Sequence, residues 1–376
     1  MFKKIWRQKE VTEGARKILI CRNDQDLAEC RQKIRDLGGE VVKELPLVHG
    51  LVCILPDVTL TAKLEASAKI KRVEDDIRFH TSCLDFFLSK KSRPSAKPQE
   101  MDWGVKRIGA PEAWPVSKGA QVKVAVIDTG IQLGHPDLKD RIDKGFNTIT
   151  LTKNANDDNG HGTHVAGIIA ASDNDFGVVG VSPEVVLYPV KVLDSNGSGS
   201  LSDVVAGIQW CIEQGVDIIN MSLGASDSSE TFAEAVRIAA SKGIIIVAAA
   251  GNSGPDNTSI DYPAKYPETI AVAASDQNDR IADFSSRGPE VDISAPGVDI
   301  NSTYLGSKYT ILSGTSMATP HVTGTIALLK ALHRNYTLAD IKSILKRSAH
   351  LLPNFSPQHQ GVGLVQAGVA VNKYAL

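Results

Sequence analysis

The first hundred residues alternate short β-rich runs with helical spacings of hydrophobic positions. Strands are predicted at 16–21, 40–45, 49–55 and 70–79, and helices at 26–37 and over the Leu60 and Leu64 positions. This β-α-β-β-α-β order is typical of a small ferredoxin-like α+β unit. A charged, proline-containing stretch at 89–100 has no hydrophobic period and predicts a linker.

From residue 121 onward, nearly continuous apolar runs alternate with helical spacings. The runs lie at 122–127, 186–192, 216–222, 244–250 and 269–274, and the helices at 161–172, 201–214, 228–242, 316–334 and 338–349. Strands that are apolar on both faces are typical of a parallel sheet covered by helices on each side. We therefore predict a doubly wound, mostly parallel α/β fold for residues 99–376, preceded by the α+β unit at 1–80 and a linker at 81–98.

Composition argues against several classes of protein. The 376 residues carry a net charge of −2, which gives no general basic surface for nucleic acid. The longest apolar run is far shorter than the roughly 20 residues of a membrane helix. Five cysteines without a CxxC pair argue against a disulfide framework or a zinc ribbon. No signal-peptide run is visible, so we expect a cytoplasmic protein, with non-standard export as the alternative, and one that binds neither nucleic acid nor membranes.

Charge is distributed unevenly between the two parts. Residues 1–98 carry a net charge of +6 and the rest of the chain −8. This difference is either drift in surface composition or a sign that the two parts attract each other.

Polar residues end three of the apolar runs abruptly, at Asp128, Ser222 and Gly251-Asn252. In parallel sheets ligands bind beyond the carboxyl ends of the strands, so these residues are expected to line one rim, although each alone could be a turn. His161 stands at a glycine-flanked junction between a loop and a helix, and Ser316 begins an apolar helix. Free N–H groups at a helix start stabilise developing negative charge, as acyl transfer to a serine requires.

The motifs Asp128-Thr-Gly, His161-Gly-Thr-His-Val-Ala-Gly and Gly314-Thr-Ser316-Met-Ala-Thr-Pro-His resemble the signature blocks of the subtilisin-like serine proteases, in that family's order. The resemblance covers roughly residues 99–376. Pro320 is expected in the first turn of its helix, where a missing N–H is tolerated. The front unit resembles the family's inhibitory propeptide, which implies a zymogen with processing within 81–98, where Lys90, Lys91 and Arg93 are candidate sites or merely solubilising charges.

The resemblance implies a role for each matched residue. His161 would act as the general base for Ser316, Asp128 would orient the imidazole, and Asn252 would donate a hydrogen bond to the oxyanion. His164 is interpreted as a packed helix residue rather than a second metal ligand.

The resemblance also places the polypeptide substrate. It implies two edge segments that pair with an extended peptide, Gly197-Ser198-Gly199 and Ser222-Leu223-Gly224, and a specificity pocket that includes Ala249, Gly251 and Asp261. A carboxylate at Asp261 could pair with Lys or Arg before the scissile bond, unless it turns outward to solvent.

Two structural calcium sites are implied in the same way. The first would use Gln99, Asp137 and Asn174 with the carbonyls of Ser172, Phe176 and Val178, and its alternative is a polar turn. The second would use Asp292 with the carbonyls of Ala264, Tyr266 and Thr269.

Two other hypotheses compete with that of an active endopeptidase. One is a pseudoenzyme in which the propeptide stays bound, against which the intact Asp128, His161, Asn252 and Ser316 count. The other is a nucleotide-binding α/β domain, but no predicted strand is followed by a phosphate-binding glycine motif.

Overall fold

The computed structural model describes residues 15–57, 59–84, 98–255 and 259–374. These residues form two compact units, divided in sequence between Asp76 and Ile77. Most of the predicted linker, with Lys90, Lys91 and Arg93, lies outside the described residues. The structural division falls a few residues before the boundary at residue 80 that the sequence suggested.

The front unit is a four-stranded antiparallel sheet with two helices. Its elements are β1 (Ala15–Cys21), α1 (Leu27–Asp36), β2 (Glu40–Leu45), β3 (Gly50–Leu55), α2 (Leu60–Glu65) and β4 (Ile70–Asp75). The strand order β2-β3-β1-β4 is that of the split β-α-β unit. Leu19, Leu51 and Leu55 pack against Ile34 and Leu64 in its core, so the sheet buries one face under the helices.

The second unit contains the remaining described elements. They are β5 (Arg78–Thr81), α3 (Trp103–Arg107), α4 (Ala110–Ala113), β6 (Lys123–Asp128), β7 (Phe146–Asn147), α5 (His161–Ala170), β8 (Val186–Lys191), β9 (Ser198–Ser200), α6 (Leu201–Gln214), β10 (Ile218–Met221), β11 (Leu223–Gly224), α7 (Glu230–Ser241), β12 (Ile245–Ala249), β13 (Thr269–Ser275), β14 (Ile293–Pro296), β15 (Ile300–Tyr304), β16 (Lys308–Leu312), α8 (Thr315–Leu332), α9 (Leu338–Ser348), α10 (Pro357–Gln360) and α11 (Ala367–Tyr374).

A seven-stranded parallel sheet organises this unit, in the order β14-β13-β12-β10-β6-β8-β7. The predicted doubly wound α/β class is confirmed. Because β12, β10 and β6 are neighbours, the polar residues that follow them emerge side by side at one edge. Helix α8 is buried from Thr315 to Lys330, so its first turn is held rigidly beside that edge.

A smaller sheet, β11-β5-β9, lies at the same rim. Its central strand β5 is antiparallel to both neighbours. The sequence pattern merged this strand with β4 into a single run at 70–79, but the structure separates them and places β5 in the second unit. The five cysteines are free thiols, and no helix in the described part of the chain is long and apolar enough to cross a membrane.

Candidate active site

Asp128 and His161 form a buried hydrogen-bonded pair. Asp128 ends β6 and His161 begins α5, and His161 Nδ1 lies 2.7 Å from Asp128 Oδ1. Both residues are 0% exposed. The close approach of the two elements requires Gly162, because a Cβ there would lie 2.1 Å from the carbonyl oxygen of Gly130. Burial strengthens this bond relative to a surface pair, so it fixes the orientation of the imidazole ring.

The loop before His161 is anchored by a carboxylate that the sequence analysis did not single out. Asp157 is buried and accepts hydrogen bonds from the backbone amides of Asn159, Gly160 and Thr163 and from the Thr163 hydroxyl. Asn159 Oδ1 in turn accepts the amide of His161 at 3.1 Å. The run Asn-Asp-Asp-Asn-Gly before His161 carried the signal, since short polar side chains commonly bond to nearby backbone groups.

Ser316 lies in the first turn of α8 at the same rim and is also 0% exposed. Its hydroxyl donates to the carbonyl of Ser222 at 2.9 Å, and the Ser222 hydroxyl donates to the carbonyl of Ser316 at the same distance. His161 Nε2 has no hydrogen-bond partner among the described residues. Ser316 is therefore bonded to the end of β10 in this conformation, and a hydrogen bond from its hydroxyl to His161 would have to replace this one.

The sequence predicted Pro320 in the first turn of its helix, but in the structure it lies further along the helix. Helix α8 begins at Thr315, so the proline lies beyond the four residues whose amides lack intrahelical partners. Its missing N–H leaves the carbonyl four residues earlier, that of Ser316, without its usual helical donor. The Ser222 hydroxyl supplies the replacement bond at 2.9 Å.

Asn252 lies beside the start of α8. Its Oδ1 accepts both the amide and the hydroxyl of Thr315, at 3.0 and 2.9 Å. These bonds fix the amide plane of the side chain. Nδ2 lies 3.4 Å from the point where a Cβ on Gly314 would be, two residues before Ser316.

The two predicted substrate-pairing segments flank an extended peptide from the chain itself. Gly197, Ser198 and Gly199 form one border and Ser222, Leu223 and Gly224 the other, with β5 between them. Gly199 pairs with Phe79, and Gly224 pairs with His80. The rim therefore binds a peptide by main-chain pairing on both sides.

Asp261 lies against the glycines of the predicted pocket. Its Oδ2 would be 2.4 Å from a Cβ on Gly251 and 3.1 Å from one on Gly224. Ala249 ends β12 directly before this region. Burial raises the pKa of Asp261 above its usual value, and burial is the only cause of that shift within the described structure.

The residues of the first predicted metal site converge. Gln99 Nε2 donates to the carbonyls of Ser172 and Val178 at 2.7 and 3.1 Å and to Asn174 Oδ1 at 3.2 Å. Asp137 accepts from Asn174 Nδ2 and from the amide of Val178, both at 3.0 Å. Phe176 enters through its amide, which donates to Asn174 Oδ1.

The second predicted metal set is engaged in other contacts. Asp292 forms an ion pair with Lys342 at 3.0 Å and accepts the amide of Ala271. The carbonyls of Ala264 and Tyr266 accept the hydroxyl of Thr269. These contacts already engage the Asp292 carboxylate and the carbonyls of Ala264 and Tyr266, so a cation at this second set would compete with them.

His164 faces away from the rim. Its Nε2 lies 3.1 Å from the carbonyl of Ile300 and 3.0 Å from that of Thr310, and the residue is fully buried. No cluster of three His, Cys, Asp or Glu side chains suited to a metal occurs in the described parts of the chain. The histidine packs α5 against β15 and β16.

The chain was compared with known proteins. A family model described as the subtilase family matches residues 119–363. A thermostable alkaline protease of Halalkalibacterium halodurans is 50% identical over 273 residues, covering 72% of this chain and 74% of that protein. An alkaline protease of Alkalihalobacillus alcalophilus is 40% identical over 371 residues, 95% of this chain and 92% of that protein. Subtilisin Savinase of Lederbergia lenta is 47% identical over 273 residues, 72% of this chain and 99% of that protein.

The cytoplasmic location expected from the sequence is wrong. These relatives are alkaline proteases and subtilisins, which are secreted extracellular enzymes. The prediction rested only on the lack of a recognisable signal-peptide run. The similarity to the Alkalihalobacillus alcalophilus protease over 95% of the chain is stronger evidence.

The buried histidines predict how stability depends on pH. Burial lowers the pKa of His164 to about 3 and that of His321 to about 4, whereas an unfolded histidine titrates near 6.5. Because the unfolded chain then binds more protons, these residues stabilise the fold fully above pH 6.5 and progressively less as the pH falls toward 4. Burial raises the pKa of Asp102 to about 6, so the folded state binds its proton more tightly than the unfolded state does. The contribution of Asp102 to the free energy of unfolding therefore increases as the pH falls through 6.

Comparing two variants isolates the contribution of His321 to the pH dependence of the free energy of unfolding. Urea unfolding of Ser316→Ala, which prevents self-digestion, should lose more free energy of unfolding between pH 7 and pH 5 than the double variant with His321→Gln. Equal losses in the two proteins would contradict the assignment of His321 as a buried neutral group.

Proposed function

The chain belongs to the subtilase family of serine endopeptidases, and from that premise we propose that Asp128, His161 and Ser316 carry out its peptide-bond hydrolysis. The observation that carries this assignment is the buried 2.7 Å bond between His161 and Asp128, at the rim where Ser316 lies in the first turn of α8. An oriented base next to a serine in a helix N-terminal turn is the arrangement that nucleophilic acyl transfer requires.

The proposed steps follow from these positions. The Ser316 hydroxyl leaves the Ser222 carbonyl, gives its proton to His161 Nε2 and attacks the substrate carbonyl carbon. Asp128 stabilises the imidazolium through Nδ1. The amide of Ser316 and Nδ2 of Asn252 donate to the oxyanion. His161 then protonates the leaving amine, and water hydrolyses the acyl-enzyme by the same route.

Removing the proposed oxyanion donor should reduce turnover selectively. Asn252→Ala should lower kcat on a peptide substrate by about 10²–10³-fold with a much smaller change in KM, a loss of the size found for an oxyanion donor of subtilisin. Ser316→Ala should abolish turnover, and circular dichroism should show both variants folded. An unchanged kcat in folded Asn252→Ala would contradict the assignment.

We further infer that the enzyme is made as a zymogen whose front unit is an intramolecular inhibitor. Similarity to the full-length alkaline protease of Alkalihalobacillus alcalophilus extends over the front unit as well as the second unit. The strand β5, which follows the front unit in sequence, fills the peptide-binding rim. A polypeptide strand in that position excludes other substrates until it is cut and released.

We also propose that the specificity pocket favours Lys or Arg before the scissile bond. The support is the position of the Asp261 carboxylate against Gly224 and Gly251, where side chains would otherwise close the pocket. The carboxylate has no hydrogen-bond or ion-pair partner within the described structure, so a substrate cation would provide its first.

This preference should depend on pH. Burial raises the pKa of Asp261, and only its ionised form attracts a cation, so acidification through that raised value should reduce cleavage after Arg relative to Phe. Ratios of kcat/KM for matched Arg and Phe peptides should fall with pH in the parent enzyme and stay flat in Asp261→Asn. A Phe peptide cleaved as fast as the Arg peptide at neutral pH would exclude the preference.

A calcium ion is proposed at the first predicted metal site. Three oxygen atoms, from Ser172, Asn174 and Val178, already surround one point within 3.2 Å, and Asp137 is the adjacent anion. Turning the Gln99 amide over would add its oxygen, and the Phe176 carbonyl would complete the set. Carbonyl and carboxylate oxygens are the donors that calcium prefers, and the bound ion would stabilise the folded state.

Removal of the ion should lower thermal stability. Chelation of the Ser316→Ala protein should decrease Tm, and excess calcium should restore it, because the ion binds only the folded chain. Asp137→Asn should lower Tm in calcium and remove most of the decrease in Tm that the chelator causes. Asp140 is exposed, and the control variant Asp140→Asn should retain that decrease. An equal Tm with and without chelator in the parent protein would exclude a structural calcium.

A further inference from the structure

Backbone hydrogen bonds hold the chain on both sides of the peptide bond between Ser82 and Cys83. On the N-terminal side, the amide of Ser82 donates to the carbonyl of Ser222 at 3.3 Å, and the amide of Thr81 donates to that of Gly197 at 3.1 Å. On the C-terminal side, the amide of Leu84 donates to the carbonyl of Ser313 at 2.9 Å. The uncut chain therefore crosses the catalytic rim between Ser82 and Leu84.

The Ser82 carbonyl is the one aligned with the nucleophile. The amide of Ser316 donates to Ser82 O at 3.0 Å, so the residue that would attack also binds the carbonyl oxygen. A Cβ on Gly314 would lie 2.6 Å from Ser82 O, 2.9 Å from Cys83 Cα and 3.4 Å from Asn252 Nδ2. The peptide bond between Ser82 and Cys83 thus lies directly against Gly314, with the Asn252 amide close by.

Phe79 fixes the register of this strand. Its ring is 0% exposed and lies 5.0 Å from that of Phe232, which in turn lies 5.7 Å from Tyr266. A shift of one residue would turn Phe79 to the opposite face of the strand. Burial of this aromatic side chain stabilises the observed register, so slipped registers, which would expose the ring, are disfavoured. The register that buries Phe79 is the one that presents Ser82 to Ser316.

We propose that the bond between Ser82 and Cys83 is the site at which the chain first cleaves itself, rather than a basic position in the linker. The proposal rests on the proposed function of Ser316. Ser316 Oγ would bond to the Ser82 carbonyl carbon, with its proton passing to His161. The C–N bond would then break, and His161 would protonate the new Cys83 amine. One water would hydrolyse the Ser82 ester, leaving a carboxylate at Ser82 and the free hydroxyl of Ser316.

The position is selected by backbone pairing rather than by the side chain before the bond. Ser82 is not basic, so it gains nothing from Asp261. Because the segment is part of the same chain, its effective concentration at the rim is high, and a weakly favoured side chain is sufficient. Cleavage of other polypeptides lacks this advantage and depends on the pocket.

The test is an early time course of the full chain by intact mass and N-terminal sequencing, with casein hydrolysis measured in parallel. The expected first products are residues 1–82 and a fragment that begins at Cys83. Ser316→Ala should yield neither. The variant without linker charges, Lys90→Ala with Lys91→Ala and Arg93→Ala, should still be cut after Ser82.

A proline after the scissile bond provides the matched variant. Cys83→Pro should lose the 1–82 fragment, because the tertiary amide is a poor substrate, whereas Cys83→Ala should keep it. Thermal unfolding of both changes in the Ser316→Ala background tests whether each protein is folded.

First products that end at Lys90, Lys91 or Arg93, with casein hydrolysis intact, would overturn the cleavage site and leave the proposed function standing. Folded parent protein that cuts neither itself nor casein would overturn both. Formation of the 1–82 fragment by folded Cys83→Pro at the rate of Cys83→Ala would also contradict the proposal.

Discussion

The hydrogen bond between Asp128 and His161 is the interaction on which the site depends. It joins the end of a central strand to the start of a helix and lies out of contact with solvent. Removing either partner would leave a polar group of the other buried without its hydrogen bond, which destabilises the folded state. Asp157 then orders the loop that carries the histidine, through four hydrogen bonds to its carboxylate. The orientation of one imidazole ring is therefore set by backbone and side chains of two separate segments.

Ser222 links the other half of the site to the sheet. Its hydroxyl donates to the Ser316 carbonyl, which Pro320 leaves without a helical donor, and its own carbonyl accepts both the Ser316 hydroxyl and the amide of Ser82. A single residue at the end of β10 thus contacts both Ser316 and the chain segment that crosses the rim. The proline in α8 is what makes this junction possible, because an ordinary residue at 320 would supply its own amide to Ser316.

The strands and helices that carry the site could be predicted from the sequence because they are long and buried. Helices α5 and α8 and strands β6 and β10 appear within two residues of their predicted bounds. Strands β14, β15 and β16 were not predicted, since each is only four or five residues long and contains polar residues or proline. Asp157 was missed because the polar run that contains it indicates local bonding to the backbone but not which of its carboxylates is buried.

The merging of β4 and β5 into one predicted strand has a physical cause of its own. Hydrophobic alternation indicates which face of a strand is buried, but not which sheet buries it. Ile70 is buried in the core of the front unit, whereas Phe79 packs with Phe232 in the second unit, and both fit one continuous run. The distinction comes from long-range pairing, which a local pattern cannot contain. The same pairing gives β5 its importance, because a strand bonded to β9 and β11 lies between the two segments that we propose pair with the substrate.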